Sequence, residues 1–217
     1  MKTKALFAAG LMMAATAASS FAQTVYSVNA VGFVNVVFVP GFTLAANPLD
    51  GAANTIAALF PSVPNGSSIF KFDALAGNFV GGTFVRGSWG ANGNLTLVPG
   101  EGFFFKNADV ANFTATFVGN VKQSTVSTSL DTPLSVGFTL VGSQVPQSGL
   151  VGTDLMLPLA NGDSVFKFDT LSQSYTGGSF VRGSWGAGGE PTIGVGEGFF
   201  VKKAVATTWS RTFSVNN

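Results

Sequence analysis

Apolar and polar residues alternate with a period of two along most of the chain. Phe70 and Phe72 fall on one side of an extended segment, with Lys71 and Asp73 on the other. Phe103 and Phe105 alternate with Phe104 and Lys106, and Phe113, Ala115 and Phe117 alternate with Thr114 and Thr116. Short runs of this kind, broken by Gly, Asn and Pro, predict strands. Asn65-Gly66 and Asn161-Gly162 predict tight turns with positive φ. Gly81-Gly82 and Gly177-Gly178 predict a bend or bulge. Two short helices are expected. One runs over Ile56 to Phe60, capped by Asn54 or Thr55 and stopped by Pro61. The other runs over Asp154 to Leu157, capped by Thr153 and stopped by Pro158. Val31 to Val39 is almost continuously apolar, which predicts a strand covered on both faces. The fold class is all-β, mainly antiparallel, of sandwich or barrel-like form.

The strand pattern occurs twice. GFTL at 41–44 returns at 137–140, FKFD at 70–73 at 166–169, FVRGSWGA at 84–91 at 180–187, and GEGFF at 100–104 at 196–200. A constant offset of 96 residues aligns 41–120 with 137–216 without a gap, and 35 of the 80 aligned positions are identical. Duplication of one structural unit explains this, and two copies are too few for a solenoid. The division is a leader over 1–22, a first β repeat over 23–121 and a second over 122–217, with the junction in 121–133. The repeats differ at their openings. The counterpart of the Val31 strand, Ser127 to Ser135, is rich in Ser and Thr and contains Asp131 and Pro133.

The first twenty-two residues have the form of a secretory signal: Lys2 and Lys4, an apolar Ala- and Met-rich run to Ala18, then Ser20-Phe21-Ala22 with small residues at the cleavage positions. The run is short for a membrane anchor. Cleavage before Gln23 leaves 9 basic and 10 acidic residues, a formal net charge of −1. With no basic cluster, such a chain has little field to attract nucleic acid. Localisation is expected to be extracellular, at the cell surface or in the periplasm, with no membrane span after the signal is removed. The strand candidates lack the steady ten-residue alternation of an outer-membrane barrel.

GFTLAANPL, SIFKFD, Gly-Ser-Trp and PGEGFFFKN together resemble a tandem β-module of uncharacterised exported bacterial proteins, with a GFTLxxNPL…PGEGFF frame. The resemblance covers most of the chain after the leader. The second repeat departs from it: NPL becomes Ser143-Gln144-Val145 and Pro99 becomes Val195. The resemblance implies export and a β-sandwich-like unit, and carries no activity.

The chain has no His and no Cys. Mechanisms built on imidazole or thiolate, Cys/His zinc sites and iron–sulfur clusters are therefore excluded. Carboxylates remain. Asp73/Asp169 and Glu101/Glu197 occur in both repeats, as do Lys71/Lys167, Arg86/Arg182 and Lys106/Lys202. Paired carboxylates serve glycoside hydrolysis, but nothing in the spacing makes them converge. Glu101, flanked by Gly100 and Gly102, is expected to pair with Arg86. Single scattered acids offer little for calcium. Gly194-Val195-Gly196-Glu197-Gly198 precedes a strand pattern rather than a helix, so it is not a phosphate loop. No cofactor is expected.

Trp89 and Trp185 lie in matching GSWG segments. Each is either a core plug or an exposed platform for a sugar ring. The leading expectation is a non-catalytic structural or cell-surface protein that self-associates. The alternative is a tandem carbohydrate-binding module for cell-surface glycans, with Trp89, Trp185, Arg86, Arg182, Glu101 and Glu197 as ligand-binding residues. Trp209 aligns with Phe113 and is expected in the core.

Overall fold

The computed structural model describes residues 30–125 and 127–215. The expected signal over residues 1–22 lies outside the described residues. The first half contains β1 (Val31–Phe38), β2 (Gly41–Ala46), the single-turn helix α1 (Ile56–Leu59), β3 (Ser68–Asp73), β4 (Asn78–Thr83), β5 (Gly102–Asn107) and β6 (Phe113–Asn120). The second contains β7 (Leu130–Leu134), β8 (Gly137–Gly142), β9 (Gly149–Leu150), β10 (Ser164–Asp169), β11 (Ser174–Val181), β12 (Ser184–Trp185), β13 (Thr192–Ile193), β14 (Gly198–Lys203) and β15 (Thr207–Arg211). All strand pairs are antiparallel.

Each half carries one main sheet and one long two-stranded ribbon, and the second half adds the short pair β9-β13. The main sheets run β2-β5-β3-β4 and β8-β14-β10-β11-β12, and the ribbons are β1-β6 and β7-β15. Registers correspond across the 96-residue offset: Leu44 faces Phe104 as Leu140 faces Phe200, and Phe70 faces Gly81 as Phe166 faces Gly177. Alternation puts one face of each sheet into its own core. Phe38, Phe60, Phe103, Phe105 and Phe117 fill the first core, and Leu155, Val165, Phe199, Val201 and Trp209 the second. Each of these side chains contributes about 1.5–3 kcal/mol by burial.

The other face of each main sheet is also apolar. Leu44, Phe104, Leu140 and Phe200 form a third buried cluster, flanked by Phe42, Phe70, Phe72, Phe166 and Phe168. Both halves supply it, so the two sheets stack on one another. The stacking is fastened at the edges. Ala46 N–H donates to Gly196 O (2.9 Å) and Gly142 N–H donates to Gly100 O (3.1 Å). Ala45 bridges Glu197 as Val141 bridges Glu101. These pairs exchange under the 96-residue offset, which makes the arrangement pseudo-two-fold. Ala46 and Gly142 are each other's counterparts and meet at the axis, where a Cβ on Gly142 would lie 2.1 Å from Ala46 Cβ. Gly198 is equally constrained, with Ala45 O 2.5 Å from its hypothetical Cβ. The second glycine of each GEGFF, Gly102 or Gly198, is therefore required because a strand of the other half lies against it, and the first, Gly100 or Gly196, because its φ is 101° or 74°.

Three local expectations are corrected. Thr55 caps α1 as expected, its Oγ1 accepting from Ala58 N–H (3.3 Å). Residues 151–155 instead form turns and bends, not a second helix. Thr153 gives its hydroxyl to Glu190 (2.7 Å) instead of capping, and Met156 adopts φ 57°, which ends any helical run. Gly81-Gly82 and Gly177-Gly178 form no bulge. The register passes through them unbroken, and a Cβ would meet Ile69 O at 1.9 Å or Val165 O at 2.1 Å. The third correction concerns β1, which is not covered on both faces. It pairs only with β6, and Val31, Phe33 and Val37 stay exposed, Phe33 at 71%.

One pair of positions shows how far the halves differ. Asp163 and Lys203 form a buried ion pair whose counterparts are Ser67 and Asn107. Lys203 also donates to Pro158 O (2.7 Å), and Asp163 accepts from Ala160 N–H (2.7 Å) and Ala204 N–H (3.2 Å). Burial alone raises the Asp163 carboxyl pKa. The bonds from Lys203, Ala160 and Ala204 outweigh that and hold it below the usual value.

Two predictions follow from these contacts. Asp163→Ser strands a buried ammonium and is expected to cost about 3–5 kcal/mol in urea unfolding. The double change Asp163→Ser/Lys203→Asn, which installs the pair of the first half, recovers most of that loss. Because the Asp163 pKa is lower folded than unfolded, its contribution is present above about pH 4 and disappears as pH falls through the folded value. The wild type therefore loses this increment on acidification and the double variant does not. Gly142→Ala should destabilise by about 1–3 kcal/mol through its clash with Ala46. Gly186→Ala, where a Cβ meets nothing within 4 Å, is the control and should stay within about 0.5 kcal/mol of wild type.

Candidate ligand-binding grooves

The charged residues shared by the two halves are largely engaged in turns and ion pairs. Glu101 pairs with Lys71 (2.8 Å), not with Arg86 as the sequence suggests. Its other oxygen accepts from Val98 N–H (2.9 Å), closing the turn before β5. Glu197 repeats this with Lys167 (3.1 Å) and Gly194 N–H (2.7 Å) before β14. Asp73 accepts from Leu75 and Ala76 N–H at the end of β3. Asp169 does the same for Ser172 and Leu171 after β10, and the Ser172 bonds lower its carboxyl pKa.

Arg86 and Arg182 owe their recurrence to backbone shape. Arg86-Gly87 has φ 52° and 83°, and Arg182-Gly183 has φ 53° and 77°. Two successive positive φ values make a tight hairpin whose twist suits the flanking strands. Val85 and Ser88 bridge across it, as Val181 pairs with Ser184. Asn65 Oδ1 receives Arg86 N–H (2.8 Å) and Asn161 Oδ1 receives Arg182 N–H (2.7 Å), so each Asn-Gly turn braces the Arg-Gly turn of its own half.

The tryptophans divide. Trp89 is 4% exposed, packs on Phe84, and donates its indole N–H to Phe60 O (2.8 Å). Its faces are closed to a sugar, which corrects its assignment as a stacking platform. Trp185 is half-buried against Phe180 and the second core. Trp209 is in the core, donating to Leu155 O (2.8 Å). The residues singled out from the sequence thus lie in separate turns and cores and form no common site.

The concave surfaces lie where the main sheets stack. Groove 1, about 440 Å³, is lined by Phe42, Phe70, Phe104 and, from the second half, Phe168, Gln173 and Tyr175, with Phe79 at its side. Groove 2, about 350 Å³, is lined by Phe138, Phe166, Phe200, Phe72, Phe79 and Tyr175. Every ring of one groove maps onto a ring of the other by the 96-residue offset. Phe79 and Tyr175 belong to both and are half exposed. The rings meet largely edge to face, as at Phe104–Phe168 (5.2 Å) and Phe72–Phe200 (5.4 Å). Burial among these rings pushes the Tyr175 phenol pKa up. Lys106 stands over Phe42 (5.7 Å) and Lys202 over Phe138 (5.6 Å) at the rims.

Sequence reasoning singled out none of these residues as a site. The available signal was Phe103-Phe104-Phe105 and its counterpart Phe199-Phe200-Val201, where both faces of one strand are apolar and each must be covered. Of the described residues, no group of three acids gathers in a way that would hold a metal ion. A third cavity, about 340 Å³ between β2 and β10, is polar and includes the Lys167–Glu197 pair. No family model, curated protein or solved structure matches this chain.

Proposed function

We propose that this is an exported, non-catalytic β-protein whose working surface is the double aromatic groove, where it holds the apolar part of a ligand or partner. The supporting observation is the pair of neighbouring grooves lined almost wholly by aromatic rings, with Phe79, Phe138 and Tyr175 left exposed. Water against rings in a concave surface is readily displaced by an apolar group. Glu101, Glu197, Asp73 and Asp169 are engaged in turns and ion pairs, which leaves little for acid–base chemistry. A glycan is a poorer fit than an apolar group. Sugar sites need several polar partners beside the ring, and Gln173 is the one non-aromatic side chain lining these grooves. The leader sequence supports export.

A second reading, self-association, is favoured by the β1-β6 ribbon. Its outer face presents Val31, Phe33, Val37 and Val118 around the polar Asn35, Thr114 and Thr116, whereas the β7-β15 ribbon presents Asp131, Pro133, Thr208 and Ser210. Exposed large apolar side chains on one ribbon, where its counterpart carries none, suit contact with another molecule. Phe33→Asp is then expected to weaken any concentration-dependent assembly seen by sedimentation. Assembly identical to wild type would overturn this reading.

The groove reading is tested with the fluorescent probe 8-anilinonaphthalene-1-sulfonate and the folded chain from residue 23. Phe79→Ser/Tyr175→Ser removes the rings common to both grooves. Probe affinity is expected to fall about tenfold or more, a change of about 1.4 kcal/mol, without loss of the cooperative unfolding transition. Unchanged affinity in a folded double variant overturns the reading.

A further inference from the structure

The two grooves match ring for ring and differ at one polar position. At groove 1 the sheet edge is β2, and Phe42 turns its main-chain N–H and C=O outward. The Gln173 carboxamide takes both: Phe42 N–H donates to Gln173 Oε1 (2.8 Å), and Gln173 Nε2 donates to Phe42 O (3.0 Å). Thr170 O holds the second N–H of the amide (2.7 Å). The amide thus occupies the place of a peptide group in a neighbouring strand.

Groove 2 has the same edge without the amide. There the edge strand is β8 and the equivalent residue is Phe138. Gly142 N–H points out of the sheet to Gly100 O. Phe138, four residues earlier in the same strand, shares that direction. The counterpart of Gln173 is Gly77. A Cβ on Gly77 or on Gly137 meets nothing within 4 Å, whereas one on Gly41 would lie 2.9 Å from Gln173 Oε1. Among the described residues, no side chain hydrogen-bonds the Phe138 main chain. Lys202, 5.6 Å over the Phe138 ring, forms no ion pair among the described residues.

We propose that groove 2 binds an extended peptide segment, and that Gln173 is a built-in occupant which closes groove 1 to the same ligand. The inference rests on the groove reading above. The segment pairs its main-chain amide with Phe138 as Gln173 pairs with Phe42. It places a large apolar side chain among Phe72, Phe166 and Phe200. A carboxylate two residues further on falls on the same side of the segment and meets Lys202. A hydrocarbon fills the rings and leaves the Phe138 edge unpaired. A peptide satisfies both the rings and the edge.

The probe is acetyl-Phe-Val-Asp-amide, titrated into the ¹⁵N-labelled chain from residue 23, with calorimetry for stoichiometry. The wild type is expected to take one equivalent and to shift the Phe138 amide resonance. Gly77→Gln transplants the closing amide and should weaken binding about tenfold or more. The space around Gly77 is open, and its φ of 68° puts a left-handed strain on Gln there, as the φ of 50° does on Gln173. Gln173→Gly should open groove 1, raise the stoichiometry to two and bring in a Phe42 shift. If Gly77→Gln does not fold, Gln173→Gly decides, since it only removes a side chain at a φ that glycine favours. Lys in place of Asp in the peptide should weaken binding. The same affinity and stoichiometry in all three proteins overturns the inference. Naphthalene separates the two failures. If it binds and the peptide does not, the inference falls and the groove reading stands; if neither binds, both fall.

Discussion

Strands β5 and β14 each have large apolar side chains on both faces. Phe103 and Phe105 point into the first core while Phe104 points the other way; Phe199 and Val201 point into the second core while Phe200 points the other way. A strand of this kind is stable only when covered on both sides. Neither half can supply both covers. Its own ribbon and loops close one face, and the other is left for a second sheet of the same character. The stacking of the main sheets is thus a consequence of one short sequence element, used twice. The glycines flanking Glu101 and Glu197 belong to the same constraint. Stacking brings each edge strand against Gly102 or Gly198 at distances that exclude a Cβ, while Gly100 and Gly196 give the turn before β5 or β14 the positive φ it needs.

The grooves follow from what the stacking leaves open. Sheets packed face to face fill their centre first, here with Leu44, Phe104, Leu140 and Phe200. Away from the axis the twist of each sheet carries the strands apart, and Phe42, Phe70, Phe138 and Phe166 line open space instead of meeting a partner. The same rings that hold the halves together at the centre are therefore presented to solvent at the margins. Phe79 and Tyr175 stand between the two openings, so a change at either is felt in both.

Much of the fold was legible in the sequence, for reasons that can be named. Alternation placed β3, β5 and β6, and the Asn-Gly turns stand where expected. Thr55 caps α1 because Ile56 and Leu59 follow with the right spacing. The misreadings share a cause: a tertiary partner that a local pattern does not reveal. Thr153 looked like a cap but is claimed by Glu190, thirty-seven residues away. Arg86 looked like an ion-pair partner for Glu101, yet its repetition reflects a left-handed turn braced by Asn65. Lys71, two residues along the strand from Asp73, takes the carboxylate instead. Trp89 sat in a flexible-looking Gly-Ser-Trp-Gly segment, and only the reach to Phe60 O puts it in the core. The grooves were the least legible, because their rings are distributed over eight strands and two halves.

The differences between the halves are as informative as the likeness. Buried Ser67 and Asn107 of the first half stand where the second has the buried Asp163–Lys203 pair, and the ribbon face that carries Val31, Phe33, Val37 and Val118 in the first has no large apolar side chain in the second. A change of this kind at a buried pair has to involve both partners, since either charge alone would be stranded. Gly77 and Gln173 differ without such a requirement. Both positions are left-handed, at φ 68° and φ 50°; the glycine takes that backbone freely, while the glutamine bears its strain and satisfies an edge that water would otherwise satisfy. Backbone ease thus favours glycine at both positions, and the two main-chain bonds to Phe42 are what the glutamine gains against it. Two sheets held by a pseudo-two-fold axis present matching openings as long as their rim residues match, and a single amide is enough to make the openings unequal.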